Sequence, residues 1–175
     1  MSPKLIPIIR RADHPDVDWM QTSFATTGGN KREGYFAECC RLQDEGRLVL
    51  LLAEYESTYL GHCKIIWQPT HPYFKEHDIP EIQDLNVSQV YRRQGIATRL
   101  MDEAERIVGH RTNTIGIGFA LYQAYGAAQR MYVLRGYVPD GQGIVYNDAY
   151  VEPGQSYRVD DDLVLGLIKH LDHES

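Results

Sequence analysis

Cysteine is scarce in this chain of 175 residues, and Cys39, Cys40 and Cys63 are all there is. The number is odd, two are adjacent and no C-x-x-C occurs, which excludes a disulfide framework and a thiolate zinc site as organising principles. Free thiols, buried or half-buried, in a reducing compartment are what remains. Long hydrophobic runs are missing too: none approaches the ~18 apolar residues of a membrane helix. No apolar stretch of signal-peptide type follows Met1-Ser2-Pro3-Lys4. The expectation is a cytoplasmic protein with no membrane partner. Positive charge is in deficit, with 18 Lys and Arg against 24 Asp and Glu and a formal charge of -6. A general nucleic-acid binder is usually basic, so nucleic acid is not an expected partner. Repeats, low-complexity tracts and linkers are absent, and residues 1–175 read as one domain. A domain near this size buries ~68–70% of its unfolded surface and needs no covalent staples.

What the chain does have is a stretch around which the rest is arranged. Pro80 to Val87 reads as a strand, with Ile82, Leu85 and Val87 as its strand formers. A short turn and a basic loop follow, Tyr91-Arg92-Arg93-Gln94-Gly95, and then a helix. Its apolar positions are Ala97, Leu100, Met101, Ala104, Ile107 and Val108, a helical face. No Ser, Thr, Asp or Asn stands in Arg92-Arg93-Gln94-Gly95 to cap the first backbone amides. Two arginines also sit at the positive end of the helix dipole, where each cation is disfavoured by ~0.3–1 kcal/mol. Two readings are open on these features. One is a surface loop with solvated arginines. The other is an anion site, where amides, dipole and arginines converge on a phosphate and Gly95 admits close approach.

Elsewhere the pattern alternates. Lys4–Arg11 is a first strand that Pro7 consigns to a sheet edge. Asp13 and Pro15 begin a helix through Val17, Trp19, Met20 and Phe24 that ends near Gly28-Gly29. A second helix spans Arg32 to Asp44 and stops at Gly46. Arg47–Glu54 is a strand apolar enough to be buried on both faces, Glu56-Ser57 a turn, and Tyr59–Gln68 the returning strand. Pro69–Pro80 reads as a long polar loop holding His71, Tyr73, Phe74 and His77. Thr114–Ala120 is a strand whose glycines mark a bulge or a close backbone approach. Gln123–Leu134 is a helix stopped by Gly136. Tyr137 starts a strand, Pro139-Asp140-Gly141 is turn-like, Ile144–Tyr146 is another short strand, and Leu163–Ile168 is the last. The fold class is α/β or α+β.

Two motifs carry a resemblance. Arg92, Gly95 and Ala97 form R-x-x-G-x-A between a strand and an amphipathic helix. Downstream, after a strand, Ala128-x-x-Met131-Tyr132-x-x-x-Gly136-Tyr137 follows. These resemble the acyl-CoA motif, Q/R-x-x-G-x-G/A, and the A-x-x-L-Y-x-x-x-G-F signature of the GNAT N-acetyltransferase superfamily, and the resemblance extends over nearly the whole chain. It implies a mixed sheet of about seven strands with about four helices. It also implies a V-shaped split between the two central parallel strands, here Glu81–Val87 and Thr114–Ala120, that takes acetyl-CoA. Backbone groups of Leu85, Asn86 and Val87 would pair with the pantetheine arm in the manner of a docked strand. Amides of Arg92, Arg93, Gln94, Gly95, Ile96, Ala97 and Thr98 would hold the pyrophosphate. Tyr125 stands three residues before Ala128, where the family often has Asn, so the hydrogen bond to CoA that this Asn carries is not implied here, and two readings are open for Tyr125, stacking on the cofactor or packing.

The resemblance further implies direct acyl transfer to a primary amine of a small molecule or peptide, without a metal. Tyr132 matches the tyrosine that protonates the departing thiolate. Candidate bases are Asp84, Glu81 or, as in other members of the family, an ordered water: a carboxylate buried in a central strand would have its pKa raised by desolvation, whereas Glu81 at the strand start is equally readable as solvated. The acceptor side would draw on Trp19, Phe24, Tyr35, His71, Tyr73, Phe74, His77 and Tyr146. His71 and His77 lack a third ligand at a known metal spacing. Asp160-Asp161-Asp162 could attract a cationic amine, and reads more simply as a solvated turn before the last strand. The stretch from Val159 to Leu165 is similar to that of bacterial members, which does not name the acceptor. Homodimers are common in the family. The rival expectation is a GNAT fold that binds acyl-CoA as a sensor or assembly module without turnover, since fold does not establish activity.

Overall fold

The computed structural model describes residues 6–171. The expected first strand falls partly outside them, at Lys4 and Leu5, and its described part is β1, Ile8–Arg11. Pairing joins β1, β2 (Leu48–Tyr55), β3 (Thr58–Ile66), β4 (Glu81–Val87), β5 (Thr114–Ala120), β6 (Val138–Tyr146), β7 (Ala149–Tyr150) and β8 (Leu163–His170) into one mixed eight-stranded sheet of order β1-β2-β3-β4-β5-β8-β6-β7. Five α-helices are present among the described residues: α1 (Val17–Thr26), α2 (Tyr35–Asp44), α3 (Pro72–Glu76), α4 (Ile96–Gly109) and α5 (Gly126–Leu134). This is a mixed α/β architecture, with one strand and one helix more than the approximate tally expected from the sequence.

The chain forms two compact units. The first comprises residues up to Ile66 together with Gln83–Ile107. Here β1 pairs antiparallel with β2 at the sheet edge, as Pro7 suggests, and β2 pairs with β3 through a turn in which Glu56 and Ser57 both have positive φ. That handedness matches the twist of a hairpin. Asp13 caps a short 3-10 turn, His14–Asp16, in a reciprocal capping box with Asp16, and α1 continues from it. Helix α2 starts at Tyr35, three residues later than expected, because Gly34 at φ 75° is left-handed. The core gathers Met20 and Phe24 of α1, Phe36, Cys39 and Cys40 of α2, and Leu48, Leu50, Leu52 and Tyr59. Strand β2 is buried along six consecutive residues, as expected.

The second unit comprises Trp67–Ile82 and the chain from Val108 onward. The parallel register of β4 with β5 covers Glu81↔Gly116 and Ile82↔Ile117. Strand β8, last in sequence, lies between β5 and β6, antiparallel to both. The Pro69–Pro80 segment is not all loop: Pro72 opens α3, and Phe74 is fully buried. Pro139-Asp140-Gly141 does not end a strand. Instead β6 runs through it with a register shift between Pro139 and Ile144, and positive φ at Gly141 and Gly143 absorbs the bulge. The β5 glycines mark close approaches. A Cβ on Gly116 would stand 2.9 Å from the Phe74 ring, and one on Gly118 2.7 Å from Val164.

Candidate active site

In the first unit, the basic loop follows β4 through a short 3-10 turn, Gln89–Tyr91, tied by Ser88 N–H to Leu60 O at 2.9 Å. Arg92 is extended and its Nε donates to Val87 O at 3.3 Å. Arg93 and Gly95 then take positive φ, 62° and 80°. Such alternation turns successive amides toward one concave side. Arg99 N–H makes the first helical bond, to Gly95 O at 3.1 Å. Gly95 therefore occupies the N-cap and has no side chain to cap with, and the amides of Ile96, Ala97 and Thr98 form the unpaired first turn. Ile96 anchors this end, buried with Leu100, Met101 and Ala104, while Arg92, Arg93, Gln94, Gly95 and Thr98 are exposed. The loop thus presents a left-handed glycine, the first-turn amides and two exposed guanidinium groups side by side.

Strand β4 carries the second feature. Asp84 has φ 56°, a left-handed kink within a strand. Its carboxylate accepts from Lys31 Nζ at 2.6 Å, Tyr35 OH at 2.5 Å, Asn86 Nδ2 at 2.6 Å and His62 Nε2 at 3.0 Å. The fully buried His62 accepts at Nδ1 from Tyr59 OH. Burial pushes the Asp84 pKa up, but the hydrogen bonds and charge of His62, Lys31 and Tyr35 outweigh it and hold the group well below the usual carboxylate range. The sequence expectation was the reverse. A carboxylate with four donors is an anchor for the β4 kink and a poor base. Around the kink, Leu85, Asn86 and Val87 are half-buried, and Asn86 O lies so near Gly61 that a Cβ there would be 2.3 Å away. Trp19, Phe24 and Tyr35 belong to the packing of this unit: Trp19 meets Tyr59 edge-on, and Phe24 meets Phe36 and His62.

In the second unit, Tyr132 is buried on α5, its ring among Phe119 and Tyr137. Ala128 is half-buried one turn earlier. Tyr125 precedes α5 and its hydroxyl donates to Asp161 at 3.0 Å, as does that of Tyr122, so this tyrosine does not reproduce a free amide side chain. Burial, then Asp161, raises the Tyr125 pKa. Tyr146 packs against Tyr157. His77 is exposed, with Tyr73 O 3.0 Å from Nδ1. Glu81 is buried rather than solvated, its Oε1 3.4 Å from where a Cβ on Gly118 would sit. Sequence reasoning missed Asp140, because its Pro-Asp-Gly setting reads as a turn. It is 7% exposed, and His71 is 3% exposed. The two stand 3.7 Å apart, Nε2 to Oδ2. Among the described residues no group of three His, Cys, Asp or Glu is placed to hold a metal ion, and no helix is long and apolar enough to cross a membrane.

The class of protein follows from comparison. The model of the acetyltransferase (GNAT) family matches residues 15–137. The chain belongs to the GNAT acetyltransferase family. An N-acetyltransferase from Staphylococcus aureus Mu50 is similar in fold, with TM-score 0.69 at 15% identity over 95% of this chain and 99% of that one. So is a Salmonella typhimurium acetyltransferase that modifies the N-terminal serine of ribosomal protein L7/L12, with TM-score 0.68 at 11% identity over 94% of each chain. A chimeric spermidine N-acetyltransferase from Vibrio cholerae has TM-score 0.64 at 14% identity, over 94% of this chain and 95% of that one. No curated protein matches the sequence.

Proposed function

We propose that residues 1–175 act as one cytoplasmic acetyltransferase domain that moves the acetyl group of acetyl-CoA to a primary amine. The observation that supports the reading is the start of α4, where left-handed Gly95, the first-turn amides and two exposed arginines lie together, in the stretch whose R-x-x-G-x-A pattern resembles the acyl-CoA motif. Amides from Arg92 to Thr98 hold the pyrophosphate, since a helix start favours negative charge. Backbone groups of Leu85, Asn86 and Val87 receive the pantetheine arm, and the Asp84 cluster keeps that backbone in shape. Glu81 removes a proton from the acceptor ammonium. Tyr132 gives its hydroxyl proton to the departing thiolate and regains one from the nitrogen that has attacked.

The acceptor is a peptide N-terminus or a small amine, the two kinds named for the Salmonella and Vibrio relatives. Isothermal titration with acetyl-CoA, beside an Arg92→Ala, Gly95→Glu double variant, tests the reading. Micromolar binding that the variant loses is the expected result. Turnover is then measured with a serine-initiated tripeptide and with spermidine. No binding by the natural sequence overturns the proposal. Binding with only slow thioester hydrolysis, across peptide and amine acceptors, points to a sensor or assembly module.

A further inference from the structure

The second unit holds a buried polar pair that the reading above does not use. His71 precedes α3 and stacks on Phe74 with ring centroids 4.0 Å apart. Neither of its ring nitrogens has a hydrogen-bond partner, and the same is true of Asp140 Oδ2, whereas Asp140 Oδ1 accepts from Gln142 N–H at 2.8 Å. Leaving buried polar atoms unpaired costs ~1–3 kcal/mol each, so structural packing alone is a poor account of this pair. The site is made by glycine. A Cβ on Gly166 would stand 2.5 Å from Asp140 Oδ2 and 2.8 Å from His71 Nε2. Gly166 is the direct antiparallel partner of Gly118, and Glu81 Oε1 lies over Gly118. Side-chain positions on directly opposed residues share a face and lie ~4.5–5.5 Å apart. Glu81, His71 and Asp140, brought from three elements, therefore stand on one glycine-floored patch of the sheet.

We propose that His71, with the Asp140 carboxylate 3.7 Å from its Nε2, is the proton acceptor behind Glu81, a positioning residue that acts through the catalytic carboxylate. This rests on the acetyltransferase reading. The acceptor ammonium loses one proton to Glu81, and the freed lone pair attacks the thioester carbonyl. The C–N bond forms, the C–S bond breaks and the thiolate receives a proton through Tyr132. Glu81 passes the first proton to His71 Nε2, directly or through one water, and regains its charge. The resulting imidazolium faces the Asp140 carboxylate and returns its proton to solvent. One amide, one thiol and one released proton balance the ammonium and thioester consumed.

Burial lowers the His71 pKa, against the opposing influence of Asp140 and Asp148, so the ring is neutral and receptive at pH 7. The charged groups that act on it are Asp140 of β6 and Asp148 of the following turn, and Glu81 of β4 lies over Gly118, the antiparallel partner of Gly166.

The test combines imidazole NMR of the full chain with kinetics. His71 is assigned by comparison with His71→Gln, and its titration is followed in the natural sequence, in Asp140→Asn and in Glu81→Gln. The expected result is a lower His71 pKa in both carboxylate variants. An unmoved titration in Glu81→Gln overturns the proposal, whether or not an acceptor has been found. On whichever of the two probe acceptors turns over, His71→Gln is expected to reduce kcat/KM by about 10²-fold and displace the acid limb of the pH profile. Its acetyl-CoA affinity and acceptor KM stay unchanged. An unaltered acid limb in both His71→Gln and Asp140→Asn also overturns it. Loss of acetyl-CoA binding by the natural sequence is a different failure, of the acetyltransferase reading itself.

Discussion

Replacing Asp84 by Asn isolates the charge at the kink of β4 from its backbone. Asn tolerates positive φ as well as Asp does, so the 56° dihedral is retained without new strain. The amide oxygen can still accept, but the anion is lost and an N–H₂ group faces Lys31, Tyr35 and His62, all of them donors toward this carboxylate. Hydrogen bonds to a charged group contribute ~1.5–3 kcal/mol each, and breaking one side of a buried pair costs ~3–5 kcal/mol. The Asp84 side chain is 9% exposed and that of Lys31 24%, so screening by solvent reduces the Lys31 share most. About 3–4 kcal/mol of lost stability at pH 7 is the expected outcome, read by urea denaturation of both proteins.

The sign of the pH dependence follows from the depressed folded-state pKa of Asp84. Its stabilisation is fully present above the unfolded value of ~3.9 and is lost as pH falls toward the folded value. The gap between the two proteins should therefore be level from pH 8 to about pH 5 and shrink at lower pH. A gap under about 1 kcal/mol at pH 7, the worth of an ordinary exposed pair, would refute the anchor role. So would a gap that persists unchanged into acid.

Three further outcomes are expected. Tyr132→Phe should lower kcat by about 10²-fold while leaving the acetyl-CoA Kd alone; unchanged turnover removes Tyr132 from the reaction. Gly166→Ala should cost ~1–3 kcal/mol, because its Cβ meets Asp140 and His71, whereas Gly126→Ala at the start of α5 meets nothing within 4 Å and should be neutral or mildly stabilising. Equal urea midpoints for the two alanine variants would refute the crowding argument. Burial pushes the Cys40 thiol up to about 11 and Cys63 higher still. At pH 8 a thiol-reactive chromophore should label native protein slowly at all three buried cysteines and promptly in denaturant. Rapid native labelling of Cys63 would show that β3 opens.

The legible parts of the sequence are those whose cause is local. Strand β2 declares itself by an unbroken apolar run and α4 by its spacing, and the left-handed turn before α4 by Gly95. Helix α3 is five residues long, too short for periodicity to register, and only the burial of Phe74 reveals it. Strand β6 hides because Pro139-Asp140-Gly141 has turn chemistry, and the glycines that suggest an ending instead permit a bulge. The insertion of β8 between β5 and β6 is a pairing choice that no segment carries by itself. Chemistry at the carboxylates is less local still. Asp84 and Glu81 look alike in sequence, acidic residues three apart in one strand, and desolvation alone would push both the same way. Their difference comes from distant partners: Lys31, Tyr35 and His62 converge on Asp84 from 53, 49 and 22 residues away. Glu81 Oε1 lies over Gly118, on the face of the sheet that His71 and Asp140 share at Gly166. Position in a strand shows where a carboxylate stands, and partners tens of residues away, as at Asp84, set the charge it holds there.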